Sequence, residues 1–407
     1  MEYIISQNLS DGRYRYISNK SNKISVSYRL PDIKRNYRQD SGEYNEEGLI
    51  VYLDQFKQWV NEMKTRKGYK INYLQFYNNT NSIYLIFKRL CQIDITTFGD
   101  VDAEEYMWIS QCNNSAIQYC NPIETTCFGY DFKSYYPKIM QSSDFMFPTN
   151  KGRAIKCLKI ADNIRWGYYK VKIESDDPNI KKVFSFSKNH VYTKTSLDYA
   201  IKLMKSGYDI VIKLDTTLDK NAYIYDKADM ISGNKIFQNW FRKLNYIKKQ
   251  YPKNKLIKSI MSRLWGTLCV SSDKSYNTID DIDKNNMWDD ISMTLQTKYY
   301  LIDHIESDNE KKYYYILRNN ENPMRYPLGR IKPWITSYGR NKIADVALLD
   351  IDNVVRIQTD NVTYSKKQKF SKKYCDLLPE DKTTGLVEWK HVNKWNNKTL
   401  DIKYGKW

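Results

Sequence analysis

The sequence predicts an α+β fold in which strands and helices occupy separate stretches of the chain. Alternating or β-branched runs predict strands in the middle of the chain, namely YYKVKI (168–173), KKVFSF (181–186) and YDIVIKLD (208–215). Apolar residues then recur from residue 236 to residue 247 with the spacing of one helical face. Further on, NVVRIQTDNVTYSK consists of two short strands around a polar turn and predicts a β-hairpin.

The remaining segments follow from the same patterns. In the first 125 residues, KISVSYRL and SIYLIF resemble strands, whereas LDQFKQWVNEMK predicts an amphipathic helix. Pro252 interrupts the helical pattern after residue 250, and KNKLIKSIMSRLWG starts a second helix, so the two predict an antiparallel pair. YYYILR predicts a strand, and PWITSYGRNKIADVALLD predicts the helix that precedes the hairpin.

Composition bounds the class of protein only broadly. The chain has 407 residues, enough for more than one domain. Its net charge of +18 weakly favours a protein that binds a polyanion; the alternative is a lysine-rich surface that is only solvated. Seven cysteines without a CxxC pair argue against a zinc ribbon or a disulfide scaffold. With no membrane-length apolar run and no signal-peptide core, we expect an intracellular, cytoplasmic protein that uses no membrane.

Two aspartates stand where a strand meets a turn. Asp131 lies in CFGYDFKSYYPKIM, at the end of a strand that enters a packed aromatic turn, and Asp360 lies at the tip of the predicted hairpin. Carboxylates that converge from adjacent strands can bind a pair of Mg²⁺ ions, which prefer oxygen ligands. The alternative is that each aspartate only satisfies the amides of its own turn.

The second predicted helix has two distinct faces. Its apolar face consists of Ile257, Ile260, Met261 and Leu264. On another face, Lys258, Ser262 and Trp265 follow one another, and they either line a groove for a phosphate and a base or form an exposed stripe.

The order of these segments resembles family B DNA polymerases. YDFKSYYP resembles their D-x-x-S-L-Y-P motif, KSIMSRLWG their K-x-x-x-N-S-x-Y-G helix, and IQTDNV their Y-x-D-T-D-S motif. WITSYGR is similar to the helix that precedes the last motif, and GLVEWKH to the segment that follows it. FQNWFRKLNYIKK is similar to the fingers of the protein-primed branch. The resemblance covers roughly residues 112–395.

The resemblance implies a right-hand polymerase architecture with an antiparallel-sheet palm and helical-hairpin fingers. It implies this division: 1–125, an N-terminal region that is either a reduced exonuclease remnant or a new element; 126–233, palm with an insertion; 234–267, fingers; 268–332, an insertion or palm extension; 333–375, palm with the catalytic hairpin; 376–407, the start of a truncated thumb. Asp102-Ala103-Glu104 lies too close to Asp131 to be the exonuclease motif and predicts the acidic start of a helix.

The resemblance also implies roles for individual residues. Asp131 and Asp360 would be catalytic and would bind metal, with the carbonyl of Phe132 as a further metal contact. The nucleotide-binding set would be Phe132, Ser134, Tyr135, Tyr136, Lys248, Lys258 and Trp265, with Tyr136 beneath the sugar, where it excludes a 2′-hydroxyl. The DNA-binding set would be Ser262, Arg263, Gly266, Tyr338, Arg340 and Lys403. The implied cofactor is Mg²⁺, as two ions that Mn²⁺ can replace.

The implied function is template-directed addition of dNTPs to a primer 3′-hydroxyl, without proofreading, in a chain of viral or plasmid origin. Its partners would be a primer–template, dNTPs and either a terminal priming protein or an accessory replication protein. The hairpin motif differs from the family at two positions, where Gln358 replaces its first aspartate and Asn361 its serine. The helix motif differs at three, where Ser262, Arg263 and Trp265 replace its asparagine, serine and tyrosine. Two alternatives stay open: a catalytically silent scaffold that binds nucleic acid or protein, and synthesis without a normal template.

Overall fold

The computed structural model describes residues 3–21, 23–31, 36–38, 46–67, 69–70, 80–112, 115–121, 124–132, 134–160, 163–251, 255–272, 274–276, 299–307, 312–319, 322–369 and 389–399. Its strands are β1 (Ile4–Asn8), β2 (Tyr14–Ser18), β3 (Ile24–Ser27), β4 (Asn36–Arg38), β5 (Gln118–Cys120), β6 (Glu124–Phe132), β7 (Met146–Pro148), β8 (Arg153–Ile155), β9 (Gly167–Glu174), β10 (Val191–Thr193), β11 (Val211–Leu214), β12 (Ala222–Ile224), β13 (Met230–Ser232), β14 (Lys274–Tyr276), β15 (Tyr299–Ser307), β16 (Lys312–Asn319), β17 (Val354–Gln358), β18 (Asn361–Tyr364) and β19 (Trp389–Thr399). Its helices are α1 (Glu46–Thr65), α2 (Thr80–Leu90), α3 (Ala103–Gln111), α4 (Tyr135–Met140), α5 (Pro178–Val183), α6 (Lys194–Lys205), α7 (Gly233–Gln250), α8 (Lys255–Leu268) and α9 (Ile331–Ala347).

The chain forms two compact units. The first unit consists of residues 1–93 and 236–267, and the second of residues 94–235 and 268–407. Most of α7 and nearly all of α8 therefore belong to the same unit as the N-terminal residues. The finer six-part division implied by the resemblance stays a prediction.

The first unit contains a four-stranded sheet in the order β3-β2-β1-β4, with β4 parallel to β1. Its helices bury apolar stripes. On α7 the predicted face is fully buried: Ile236, Phe237, Trp240, Phe241, Leu244 and Ile247 are each 0% exposed. Phe87 of α2 stacks on Phe237 with ring centroids 5.2 Å apart, so α2 and α7 share one core.

Two segments that the sequence patterns predicted as strands are helical. SIYLIF lies within α2, where Ile83, Ile86, Phe87 and Leu90 are buried at the spacing of one helical face. Because the run is short and apolar, its periodicity did not separate a strand from a helix. KKVFSF is also not a strand, since α5 begins at Pro178 with the Asp177 side chain as its N-cap and extends into that run.

The second unit holds the sheet on which the aspartates stand. We call it the aspartate sheet; its order is β19-β6-β18-β17-β5, and each neighbouring pair is antiparallel. A second sheet contains β10-β9-β12-β8 with β11 paired to β9, and a third contains β14-β16-β15. The fold is thus a mixture of helices and largely antiparallel sheets, as predicted.

A buried ion pair lies in the core of the second unit. The Arg330 guanidinium donates to both carboxylate oxygens of Glu105 at 2.8 Å, and both side chains are 0% exposed. Tyr225 donates to the same carboxylate at 2.7 Å, and the guanidinium also donates to four main-chain carbonyl oxygens. Buried charges are tolerated when each is paired and hydrogen-bonded, as here. Helix α3, which carries Glu105, begins at Asp102 as its N-cap, so the predicted acidic helix start is confirmed.

Candidate functional site

The pairing of β6 with β18 brings the two aspartates onto neighbouring strands. Asp131 lies opposite Asn361 in the register, and Asp360 precedes Asn361 in the turn. The main-chain amide of Phe132 donates to the carbonyl oxygen of Asp360 at 2.9 Å. Both aspartates are partly exposed. The predicted hairpin is present, and its turn is held against the strand that carries the other aspartate.

The turn itself has an unusual backbone. Thr359 has φ of 58°, a left-handed value that β-branched residues rarely adopt. Hairpin turns that need positive φ at the first central residue usually place glycine there. The Thr359 amide donates to the carbonyl oxygen of Ile117 at 3.2 Å, which anchors the turn to the residue before β5. Such strain persists where surrounding structure holds it in place, and it clusters at functional sites.

After β6 the chain turns sharply into α4. Ser134, the residue before this helix, has φ of 54° and ψ of 45°, so the predicted aromatic turn is a left-handed residue followed by a short helix. Tyr135 is buried; its hydroxyl donates to the carbonyl oxygen of Gly339, and its ring stacks on Phe132 with centroids 5.0 Å apart. Strand end and helix start are thereby fixed by one aromatic contact.

Tyr136 lies beside Tyr135, with ring centroids 5.3 Å apart, and it is only partly buried. Burial raises the pKa of Tyr136 to about 12; the Arg340 guanidinium opposes this rise and the Asp360 carboxylate adds to it. Burial likewise raises the pKa of Tyr135 well above its ordinary value, with smaller contributions from Tyr136 and Asp360. The two phenols are therefore neutral at physiological pH and lie near the Asp360 carboxylate.

Helix α9 packs against Tyr135 and Tyr136 at Gly339. A Cβ atom on Gly339 would lie 3.3 Å from one ring carbon of Tyr135 and 3.3 Å from one of Tyr136. The sequence motif WITSYGR contains this glycine, but its role as the closest approach of α9 to both rings is a tertiary property that sequence reasoning missed.

Two residues of α9 that were predicted to contact DNA contact other residues of this chain. Arg340 is 6% exposed, and it donates to the carbonyl oxygen of Ser115 at 3.1 Å and to the hydroxyl of Ser337 at 3.1 Å. Burial lowers its pKa. The Tyr338 ring packs edge-on against Phe145 with centroids 5.9 Å apart. Contact of either residue with DNA stays a prediction.

The hairpin departs from the family pattern at Gln358. Its side chain is exposed and accepts a short hydrogen bond from Arg356, and its register partners are Asn361 of β18 and Gln118 of β5. Within the described ranges, no group of three or more His, Cys, Asp or Glu side chains is arranged to hold a metal ion. Among the described residues, Asp131 and Asp360 are the carboxylates that a metal at this hairpin would contact.

Apart from Lys403, the remaining predicted site residues belong to the first unit. The predicted apolar face of α8 is confirmed: Ile257, Ile260, Met261 and Leu264 are at most 6% exposed. On its other faces the predicted nucleotide-binding and DNA-binding residues are accessible: Lys258, Ser262, Arg263 and Gly266 are exposed, and Trp265 is partly exposed. Lys248 of α7 is partly exposed. Lys403 lies outside the described residues.

None of the helices in the described part of the chain has the length and apolarity that a bilayer crossing requires. No protein-family model matches the chain, and no curated protein matches it.

Several solved structures do match the chain. Its fold is similar to that of phi29 DNA polymerase complexed with single-stranded DNA, at 15% identity and a TM-score of 0.51, over 85% of this chain and 54% of that one. It is also similar to phi29 DNA polymerase complexed with primer-template DNA, at 12% identity and a TM-score of 0.52, over 96% of this chain and 84% of that one. A third match is the ternary complex of phi29 DNA polymerase with primer-template DNA and incoming nucleotides, at 15% identity and a TM-score of 0.50, over 85% of this chain and 56% of that one.

In the first of these matches the chain spans 54% of the polymerase's length. At identities of 12–15% the likeness concerns the fold and not the activity. The chain thus has a fold similar to that of a DNA polymerase.

Proposed function

We propose that this chain is a DNA-directed DNA polymerase that adds deoxynucleotides to a primer 3′-hydroxyl and does not proofread. The observation that carries the proposal is the β6–β18 pairing, which sets Asp131 opposite Asn361 and beside Asp360. The likeness of the fold to solved DNA polymerase structures supports it independently.

The donors at the hairpin suit Mg²⁺, because two carboxylates and a main-chain carbonyl are hard oxygen ligands. Asp131 and Asp360 would hold the metal, and the Phe132 carbonyl would add a contact. When bound, the metal neutralises charge that develops on the triphosphate and on the attacking oxygen. Because the described part of the chain offers two carboxylates here, we expect metal affinity to depend on the phosphate oxygens of the bound nucleotide.

The other residues would position the reactants. Tyr136 is neutral, partly exposed and near Asp360, which suits a flat surface beneath the deoxyribose. Tyr135 and Gly339 would fix that ring in place. On α8, exposed Lys258 would contact a triphosphate oxygen as a point charge. The primer oxygen then bonds to the α-phosphorus, the bond from that phosphorus to pyrophosphate breaks, and pyrophosphate leaves.

Primer extension tests the proposal. A labelled primer–template is incubated with all four dNTPs and Mg²⁺, or Mn²⁺, beside Asp131→Asn and Asp360→Asn. The matched control is Asp352→Asn, an exposed aspartate of the same unit that lies outside the hairpin. We expect templated extension by wild type and control, and a loss of at least about 100-fold in both hairpin variants, as when a transition-state charge partner is removed.

One observation favours a second candidate function. Gln358 occupies a position where the family motif has an acid, and it hydrogen-bonds to Arg356 of the same strand. A polymerase-like scaffold that binds nucleic acid or protein without catalysis would tolerate that change. Absence of extension with either metal, together with intact DNA binding, would reject the enzyme and favour the scaffold.

A further inference from the structure

In the first unit, the C-terminal end of α1 meets the second half of α7 through aromatic and cationic side chains. The Arg66 guanidinium lies 4.0 Å from the ring centroid of Tyr246, and the Lys243 ammonium lies 5.3 Å from that of Tyr69. Tyr69 in turn donates to the carbonyl oxygen of Lys243 at 3.1 Å. We call Arg66, Tyr69, Lys243 and Tyr246 the tyrosine platform.

A glutamate of α1 hydrogen-bonds to the platform and holds it in place. Glu62 accepts a short hydrogen bond from Arg66 and a second, at 2.9 Å, from the hydroxyl of Tyr251. Tyr69 is 6% exposed and forms the base of the cluster, whereas Tyr246 is 36% exposed. The guanidinium and the accessible phenol ring are therefore held together at the surface, which lowers the entropy lost when a flat ligand stacks on them.

The electrostatic setting is strongly positive. From Met230 to Ser272 the sequence contains nine Lys or Arg residues and no Asp or Glu. Exposed cations adjoin the platform on both helices: Lys64 and Lys67 at the end of α1, and Arg242 and Lys249 on α7. Glu62, a carboxylate that contacts the platform, is already engaged by Arg66 and Tyr251. A polyanion is therefore the class of ligand that this surface attracts.

We propose that the tyrosine platform binds single-stranded nucleic acid, with one base stacked on the Arg66–Tyr246 pair and the flanking phosphates on neighbouring cations. Flat aromatic and guanidinium faces stack on any base, while lysines and arginines follow the backbone, so this combination binds single strands with little sequence preference. This site lies outside the hairpin that carries Asp131 and Asp360, and its binding does not require the proposed polymerase activity.

Fluorescence anisotropy of the full chain with a labelled oligothymidylate of about 16 nucleotides tests the proposal, repeated over a series of salt concentrations. We expect Tyr246→Ala to raise Kd about tenfold, in the range for loss of one stacked base, with an unchanged salt slope. Arg242→Gln, at an exposed neighbouring cation, should raise Kd and reduce the salt slope by about 0.7, the value for one phosphate contact on a single strand.

Two matched controls lie in the same unit. Tyr28 is 71% exposed and outside the platform, so Tyr28→Ala controls for loss of an accessible tyrosine. Arg13 is an exposed arginine paired with Asp11, so Arg13→Gln controls for loss of one charge. Kd values for Tyr246→Ala and Tyr28→Ala that agree within twofold would overturn the proposal, as would equal salt slopes for Arg242→Gln and Arg13→Gln.

Photocrosslinking locates the contact directly. An oligonucleotide with 5-iodouracil in place of thymine should crosslink to the tryptic peptide of residues 244–248, which contains Tyr246. Crosslinks confined to peptides of the second unit would reject the platform. Loss of primer extension in Asp131→Asn is measured separately from this crosslink to the wild-type chain, so failure of the proposed polymerase activity and failure of the platform give different results.

Discussion

The Phe132 amide donates a hydrogen bond to the carbonyl oxygen of Asp360 at 2.9 Å, and this main-chain contact ties β6 to the hairpin turn. The relative position of the two aspartates thus depends on backbone pairing. Substituting either carboxylate by an amide of the same shape should leave the sheet intact. Loss of activity in such variants therefore reports on charge and metal ligation.

Tyr136→Ala should admit ribonucleotides. The ring is partly buried beside Tyr135, and removing it leaves space where a 2′-hydroxyl would otherwise clash. We expect the ratio of kcat/KM for a dNTP over the matching NTP to fall at least about tenfold, the effect of about 1.4 kcal/mol. Tyr136→Phe keeps the ring and should keep the ratio. Unchanged discrimination in the alanine variant would place the sugar selection elsewhere.

Gln358→Asp should strengthen metal binding at the hairpin. The side chain is exposed at the strand end, and a third carboxylate there would add a hard oxygen ligand near Asp360. We expect the Mg²⁺ concentration for half-maximal primer extension to fall severalfold. Gln358→Ala removes the amide without adding charge and should cause no such fall. Equal metal dependence of the aspartate and alanine variants would contradict a metal site at this turn.

Gly339→Ala should destabilise the second unit. Its Cβ would lie 3.3 Å from ring carbons of both Tyr135 and Tyr136, so each of these packed rings would have to shift by a few tenths of an ångström. We expect a loss of about 1–2 kcal/mol in the free energy of unfolding, measured in urea, which is typical of overpacking. Gly266→Ala is the control, because no atom lies within 4 Å of its added Cβ and alanine favours the helix. A neutral or stabilising Gly339→Ala would contradict the tight contact.

Glu105→Gln should cost about 3–5 kcal/mol of unfolding free energy, because it leaves the buried Arg330 guanidinium without its counter-charge. Both partners are 0% exposed. The neighbouring Glu104 pairs with Lys220 at 2.7 Å, where the side chains are 43% and 63% exposed, so Glu104→Gln should cost less than about 1 kcal/mol. Similar losses in the two variants would show that the Glu105–Arg330 pair does not stabilise the core.

Stability should fall at alkaline pH partly through Tyr136. Burial raises its pKa to about 12, above the value of about 10 for an exposed tyrosine, so the neutral phenol favours the folded state. The contribution of the neutral Tyr136 phenol to the free energy of unfolding is complete below about pH 10 and is lost as the pH rises towards 12. Tyr136→Phe should lose less unfolding free energy than wild type between about pH 9 and pH 11, by about 1 kcal/mol.

Tyr28→Phe, at an exposed position, is the matched control for this pH series. Identical pH dependence of wild type and Tyr136→Phe would show that the phenol ionises without penalty in the folded protein.

The sequence by itself determined the elements with long or regular periodicity. The buried faces of α7 and α8, the β17–β18 hairpin and the start of α3 at Asp102 all follow from local spacing and capping, because these depend on residues a few positions apart. Short apolar runs such as SIYLIF were assigned wrongly, since their helical register becomes evident only when Phe87 packs on Phe237.

Only the tertiary structure decided which residues meet at the aspartates. The β6–β18 register, the anchoring of Thr359 on Ile117 and the approach of Gly339 to two tyrosine rings join residues more than 200 positions apart. Arg330 and Glu105 are likewise 225 positions apart, and the platform joins Arg66 to Tyr246 across 180 positions. Sequence patterns record which side chains favour burial or exposure along one element. Which element they meet depends on backbone pairing and packing over the whole chain.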